Sequence, residues 1–206
     1  MLVNDIDAIR RSQGYQGVFD LLRLGRHGVV VLDPYSTLIS EGVRLGAGTV
    51  LYPNVVVRCD ERSGCAIGEG NTLWPQTLLL AVDGGVIEIG DGNQLGPGGV
   101  QLKANQVGAR IVVGDGTRLL NGPEIVGRSS LGSGCQVLGQ IAAQSVTLAA
   151  GREHTWPDVD ERGAVLKGFG VARGLSVGVG EVINGHGDFA AAPIERQAAY
   201  HARPSP

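Results

Sequence analysis

Four histidines hold most of the acid–base chemistry open to this chain: His27, His154, His186 and His201. Imidazole titrates nearest to neutrality, so a histidine beside an orienting carboxylate is a natural general base. Glu153-His154 offers that pairing, followed closely by Trp156. His186 stands in a polar turn, Asn184-Gly185-His186-Gly187-Asp188. His154 and His186 are therefore the candidate catalytic bases, with Glu153 as orienter. Each also fits an ordinary polar loop position. His27 and His201 read as surface residues outside the central part of the chain. Arg152, Lys167 and Arg173 are the cations of the same late region. Catalytic zinc needs three protein ligands and an open fourth position. The histidines are too scattered for that, and Cys59, Cys65 and Cys135 form no C-x-x-C pair, so no metal is expected. Ser129, Ser130 and Ser133 have no histidine close in sequence to activate them.

The elements that must position these residues are written in a repeat. Five cassettes read aliphatic, Gly, any residue, Gly, small or polar: Leu45–Thr49, Ile67–Asn71, Ile89–Asn93, Val113–Thr117 and Leu131–Cys135. Inside them runs a period of six, as in Ile39, Leu45, Leu51 and Val57, or Val113, Leu119, Ile125, Leu131 and Val137. Six fits neither a 3.6-residue helix nor plain strand alternation. It fits short strands joined by tight corners, three to a coil, with the aliphatics stacked inward from coil to coil. The glycines belong at corners, where positive φ or close backbone approach is required. Pro53, Pro75 and Pro97 share one offset from their cassettes and also suit corners. In the fourth coil that offset holds Asn121. No cassette has the G-x-x-x-x-G-K-[ST] pattern of a phosphate loop. The predicted fold is an all-β solenoid, a parallel β-helix of hexapeptide repeats. Longer coils place extra residues around 60–63, 83–85 and 103–106, on one side of the solenoid.

Composition bounds the rest. Glycine supplies 34 of 206 residues without a Gly-X-Y period, which excludes collagen. A net charge of −3 gives no footprint for nucleic acid, so none is expected as a partner. No apolar run reaches the roughly 20 residues of a membrane span. The start of the chain lacks a basic, then apolar, export pattern, and the odd cysteine count suits reduced thiols, so a cytoplasmic location is expected. Residues 1–31 read as a helical cap and lead-in strand, with helices over 5–12 and 16–24. Asn4 or Asp5 caps the first, Ile6 and Ile9 lie along it, Val18, Leu21 and Leu22 stripe the second, and Gly25 stops it. Residues 32–148 read as the β-helix. Residues 149–206 read as an irregular extension: a polar loop over 152–163, extended chain over 164–185, a short helix from Glu195 to His201, and a frayed end from Ala202 to Pro206.

Asp33-Pro34, followed by Thr49-Val50-Leu51-Tyr52-Pro53-Asn54-Val55 after the first cassette, resembles a known family. It is similar to the left-handed β-helix of the bacterial bifunctional N-acetylglucosamine-1-phosphate uridyltransferase / glucosamine-1-phosphate acetyltransferase and, more loosely, to the hexapeptide-repeat acyltransferases. The resemblance covers about residues 32–148. It implies left-handed coils, a homotrimer with sites between subunits, and acyl transfer, acetyl first, from acyl-CoA such as acetyl-CoA to an amino sugar or other small amine or alcohol. It also implies that Arg152, Lys167 and Arg173 could meet coenzyme A phosphates. The uridyltransferase half is absent. Where the family carries its histidine base, this chain has Asn121 or Gly139, and Lys103 is the lone lysine of the repeat. The alternative reading is a non-catalytic trimeric scaffold or binding protein that lacks the base.

Overall fold

The computed structural model describes residues 2–201. Its core is a three-sided parallel β-helix, the hexapeptide class expected from the repeat and, with left-handed coils, from the family resemblance. One seven-stranded sheet makes the first face, and the strands of the other two faces join in a fifteen-stranded sheet. The cassette aliphatics form one column. Leu45 pairs with Ile67, Ile67 with Ile89, Ile89 with Val113 and Val113 with Leu131, and the column continues through Leu148 to Val177. A second column runs through Leu51, Leu73, Leu95, Leu119 and Val137 to Leu166 and Ile183. The third joins Ile39, Val57, Leu79, Leu102, Ile125, Ala143 and Ala172. All are buried except Leu45, which sits half-buried in the first coil of its face.

The two glycines of a cassette serve different needs. The second takes positive φ in all five, for example 63° at Gly70 and 65° at Gly92. The first permits close approach: a Cβ on Gly68 would lie 2.1 Å from Asp91 Oδ1 and 2.7 Å from the Gly90 carbonyl oxygen. The residue between the glycines ties coils together. Asp91 Oδ1 accepts the Glu69 N–H at 2.7 Å, and Asp115 Oδ1 accepts the Asp91 N–H at 2.8 Å. On the inner side Asn71 and Asn93 are buried in a ladder of their own. Asn93 N–H donates to Asn71 Oδ1 at 2.9 Å, and Thr117 N–H donates to Asn93 Oδ1 at 2.7 Å. These bonds fix register, and Asn71 Nδ2 adds a 2.9 Å bond to the Gly90 carbonyl, whereas Asn93 Nδ2 is buried without a partner among the described residues.

The corner insertions do more than project. They lengthen the flanking strands to Val56–Cys59, Gly64–Ile67, Leu78–Ala81, Val86–Ile89, Gln101–Ala104 and Arg110–Val113. Ala81, Ile87, Ala104 and Ile111 thereby join the core, and only tight turns remain outside. Asp60 organises the first turn, with Oδ1 accepting from the Arg62 N–H at 3.0 Å and Oδ2 from the Asp83 N–H at 2.7 Å. The Ser63 hydroxyl first, then those backbone contacts, hold its carboxyl below the usual range.

The ends depart from expectation in several ways. α1 (Leu2–Ser12) starts before Asn4 and Asp5, which therefore lie in its first turn and do not cap it. Its buried residues include Asp7 and Arg10, while Ile9 is exposed. Asp7 Oδ1 accepts the Val18 N–H at 2.6 Å, and Arg10 donates to the carbonyls of Pro34 and Tyr35 at 2.9 and 2.6 Å. α2 (Val18–Arg23) buries Val18 and Leu21 but leaves Leu22 exposed. Its stop is Gly28, at φ 76°, because a 3-10 turn over Leu24–His27 carries the chain past Gly25.

At the other end the solenoid does not stop at Leu148. Strands Val165–Arg173, Ser176–Val177 and Glu181–Asp188 continue the ladders. The six-residue rhythm is hidden there because glycines stack on glycines. A Cβ on Gly168 would stand 2.0 Å from the Gly185 carbonyl oxygen, and one on Gly170 would stand 2.0 Å from that of Gly187. Phe189, fully buried, plugs the end. The expected tail helix is a two-residue strand, Glu195–Arg196, antiparallel to Glu181–Val182, then a 3-10 turn over Gln197–Tyr200. The expected frayed end, Ala202–Pro206, lies outside the described residues.

Candidate functional site

The loop leaving Leu148 is polar but well braced. Arg152 N–H donates to the Glu161 carbonyl at 2.8 Å, and Gly163 N–H donates to the Arg152 carbonyl at 3.0 Å, which closes the loop at its base. Across it, Trp156 Nε1 donates to Glu161 Oε2 at 2.8 Å and Arg162 Nε to the Trp156 carbonyl at 2.7 Å. The Arg152 guanidinium lies 4.6 Å from the Trp156 ring centroid. These bonds turn His154 and Arg162 toward the outer side of the second face.

A cavity of about 360 Å³ lies there. Its floor is a register row, Arg118, Gln136, Val165 and Val182, with Leu138 and Lys167 beside it. His154 and Arg162 form one wall. The tail forms another with Gln197, Tyr200 and His201. Gln197 anchors that wall: it is buried, and its Nε2 donates to the Gly163 carbonyl at 2.7 Å. Tyr200 OH bonds the Glu195 carboxylate, and Lys167 Nζ stands 5.8 Å from the Tyr200 ring centroid.

The electrostatics of this cavity are one-sided. Arg118, Arg162, Lys167, His154 and His201 line it, and among the described residues no Asp or Glu does. His154 is pushed below its ordinary pKa, first by desolvation and then by the Arg118 charge, with Arg162 adding to it and Glu153 opposing. The neutral imidazole, the form that accepts a proton, is thus favoured near neutrality.

Of the residues singled out from sequence, the structure brings His154 and Lys167 together. Glu153 stands beside Gly116, and among the described residues no hydrogen bond joins it to His154. Arg152 lines a different surface depression, with Asp160 and Glu161. Arg173 is exposed on the third face, where its Nε donates to Gln144 Oε1 at 2.9 Å. His186 is exposed and meets Phe169 edge-on at 5.1 Å. Sequence reasoning missed Arg118, Gln136 and Arg162, and it set His201 aside. The register row through Arg118 could have been drawn from the cassette offsets. The reach of the loop and tail could not.

Buried thiols offer no rival nucleophile, since burial pushes Cys65 and Cys135 up to about 12. Among the described residues no group of three or more His, Cys, Asp or Glu could hold a metal ion. No described helix is long and apolar enough to cross a membrane.

No protein-family model matches the chain. Bifunctional protein GlmU of Bdellovibrio bacteriovorus is 51% identical over 37 residues, which are 18% of this chain and 8% of that protein. The match supports the family resemblance over a short stretch, and the chain spans under a tenth of that relative. A solved structure of PerB from Caulobacter crescentus, in complex with CoA and GDP-perosamine, is 16% identical over 91% of this chain and 73% of its own, with a TM-score of 0.24. A likeness that loose bears on neither ligand nor reaction here.

Proposed function

We propose that this protein is an acyl-CoA-dependent acyltransferase, acting on an amino sugar or another small amine or alcohol, with His154 as its general base. The observation that carries the reading is a neutral-leaning imidazole in a cationic cavity at the end of a rigid solenoid. His154 takes the proton of the acceptor amine or hydroxyl as that atom attacks the thioester carbonyl. The carbonyl carbon gains the new C–N or C–O bond, the C–S bond breaks, and the CoA thiolate leaves to be protonated. The family resemblance supports the donor, acetyl-CoA first among acyl-CoAs. Of the three expected phosphate contacts, Lys167 shares the cavity with His154, while Arg152 and Arg173 lie outside it. His186, edge-on to Phe169, is the second candidate base. We further propose a homotrimer, on the resemblance alone.

Isothermal titration with acetyl-CoA and with free coenzyme A tests this directly, alongside thiol release in the presence of candidate amines. Saturable binding of both with thiol release is the expected result. One observation favours the scaffold reading instead: no carboxylate bonds the His154 imidazole among the described residues. Failure of both CoA ligands to bind would select that reading.

A further inference from the structure

We infer that Gln197 is a positioning residue for His154: its buried amide latches the tail, residues 195–201, as a detachable wall over the cavity. The inference rests on the acyltransferase reading only where turnover is measured.

The tail has no apolar anchor. Of residues 193–201 only Gln197 is buried, and Ile194 is 53% exposed. A segment that buries no hydrophobic side chain is held by its polar bonds, and such segments open at low free energy. Gln197 supplies the bonds that lie out of water. Its Nε2 donates to the Gly163 carbonyl at 2.7 Å and to the Glu181 carbonyl at 3.4 Å, and its backbone N–H donates to the Gly180 carbonyl at 2.8 Å. Arg196 adds bonds to the Val179 and Asp160 carbonyls at 2.9 and 3.2 Å and an ion pair with Asp160 at 3.3 Å, all at the exposed rim. Exposed pairs contribute little, whereas a buried carbonyl stripped of its donor is costly.

The backbone that receives the latch cannot yield. A Cβ on Gly163 would stand 2.4 Å from the Gly134 carbonyl carbon, and one on Gly180 would stand 2.2 Å from the Asp160 carbonyl oxygen. The Gly180 N–H also donates to the Arg162 carbonyl at 2.8 Å. The tail is therefore the part that can lift. Beyond the latch it carries Tyr200 and His201, which line the cavity with His154.

Lifting the tail changes the surroundings of the imidazole. The charged and titratable groups around His154 are Arg118 from the sheet, Lys167 from the strand Val165–Arg173, and Arg162 and Glu153 from its own loop. The tail adds His201 and Tyr200, with Glu195 on the Tyr200 hydroxyl. Desolvation is the first cause of the depressed His154 pKa. Water readmitted by an open wall stabilises the imidazolium, so His154 should titrate higher when the latch is broken.

The test uses the full chain. Gln197→Met keeps the side-chain length and removes the donors, and Gln197→Ala removes both. In each, hydrogen exchange at the Gln197 and Ala198 amides should quicken about 10-fold. Leu166 and Ile183, in the second column, should keep their protection. The His154 NMR titration should move up toward the ordinary histidine value of about 6.5. Arg196→Gln should move both readouts far less. Where acyl transfer is measured, the acid limb of its pH profile should shift upward with His154 in the two Gln197 variants. Exchange and NMR need no turnover, so the acyltransferase reading can fail while the latch stands. An unchanged His154 titration in both Gln197 variants overturns the inference. So does an Arg196→Gln effect as large as theirs, or a loss of protection along the whole solenoid, which would make Gln197 a structural residue only.

Discussion

At the scale of residues, His154 is the position where sequence and structure converge, and for different reasons. The sequence offered it because of Glu153, yet the environment that tunes it comes from Arg118 and Arg162. Those two were not legible. Outward-facing residues of a solenoid carry no periodic signature, and Arg118 reaches His154 only because a loop 36 residues later folds back over its face. If His154 is the base, His154→Ala should lower turnover roughly 10²–10⁴-fold with the fold intact, while His186→Ala changes it little. Activity should fall on the acid side only below the ordinary histidine pKa of about 6.5. Stability carries the same sign. The folded pKa is depressed, so between the folded and unfolded values the unfolded chain binds the extra proton. Stability should then decline as pH drops below about 6.5 and level off beneath the folded pKa. Urea midpoints of parent and His154→Gln across that range would check it: the parent should lose stability that the variant keeps.

At the scale of elements, the coil was legible nearly throughout, because each side uses one inward aliphatic and each cassette repeats its corner. The division of labour between the glycines was hidden, since both look alike in sequence. It yields a contrast. Gly92 has φ 65° and nothing within 4 Å of a built Cβ, so Gly92→Ala should cost only the left-handed penalty, about 1–2 kcal/mol. Gly68→Ala forces a Cβ onto Asp91 Oδ1 and the Gly90 backbone, which breaks the tie to Glu69 as well. Its cost should be the larger, about 2–4 kcal/mol. Chemical denaturation of the two variants side by side measures this. Equal costs would mean that the corners relax freely.

At the scale of the whole molecule, a solenoid is quasi-one-dimensional, so its ends decide how much of it stays folded. The reading that stopped the β-helix at Leu148 missed the last strands because a polar loop interrupts the chain before the columns resume at Leu166, Ala172, Val177 and Ile183, with stacked glycines beside them. The trimer proposed above predicts a mass near three times 21.4 kDa by light scattering behind size exclusion. The two ends are closed unlike each other. α2 lends Leu21 to the core at the start, whereas Phe189 alone is the large buried aromatic at the finish, packed against Gly185. Truncating such a ring typically costs about 3–5 kcal/mol. In a one-dimensional stack that loss should stay local. Phe189→Ala should speed hydrogen exchange across Val165–Arg173 and Glu181–Asp188, while strands before Val113 keep their protection. Because Val165, Lys167 and Val182 help line the His154 cavity, the same variant should weaken ligand binding there without reaching a single protein ligand contact directly. Uniform loss of protection along the chain would show instead that the coils melt as one unit, with the end plug holding the whole solenoid.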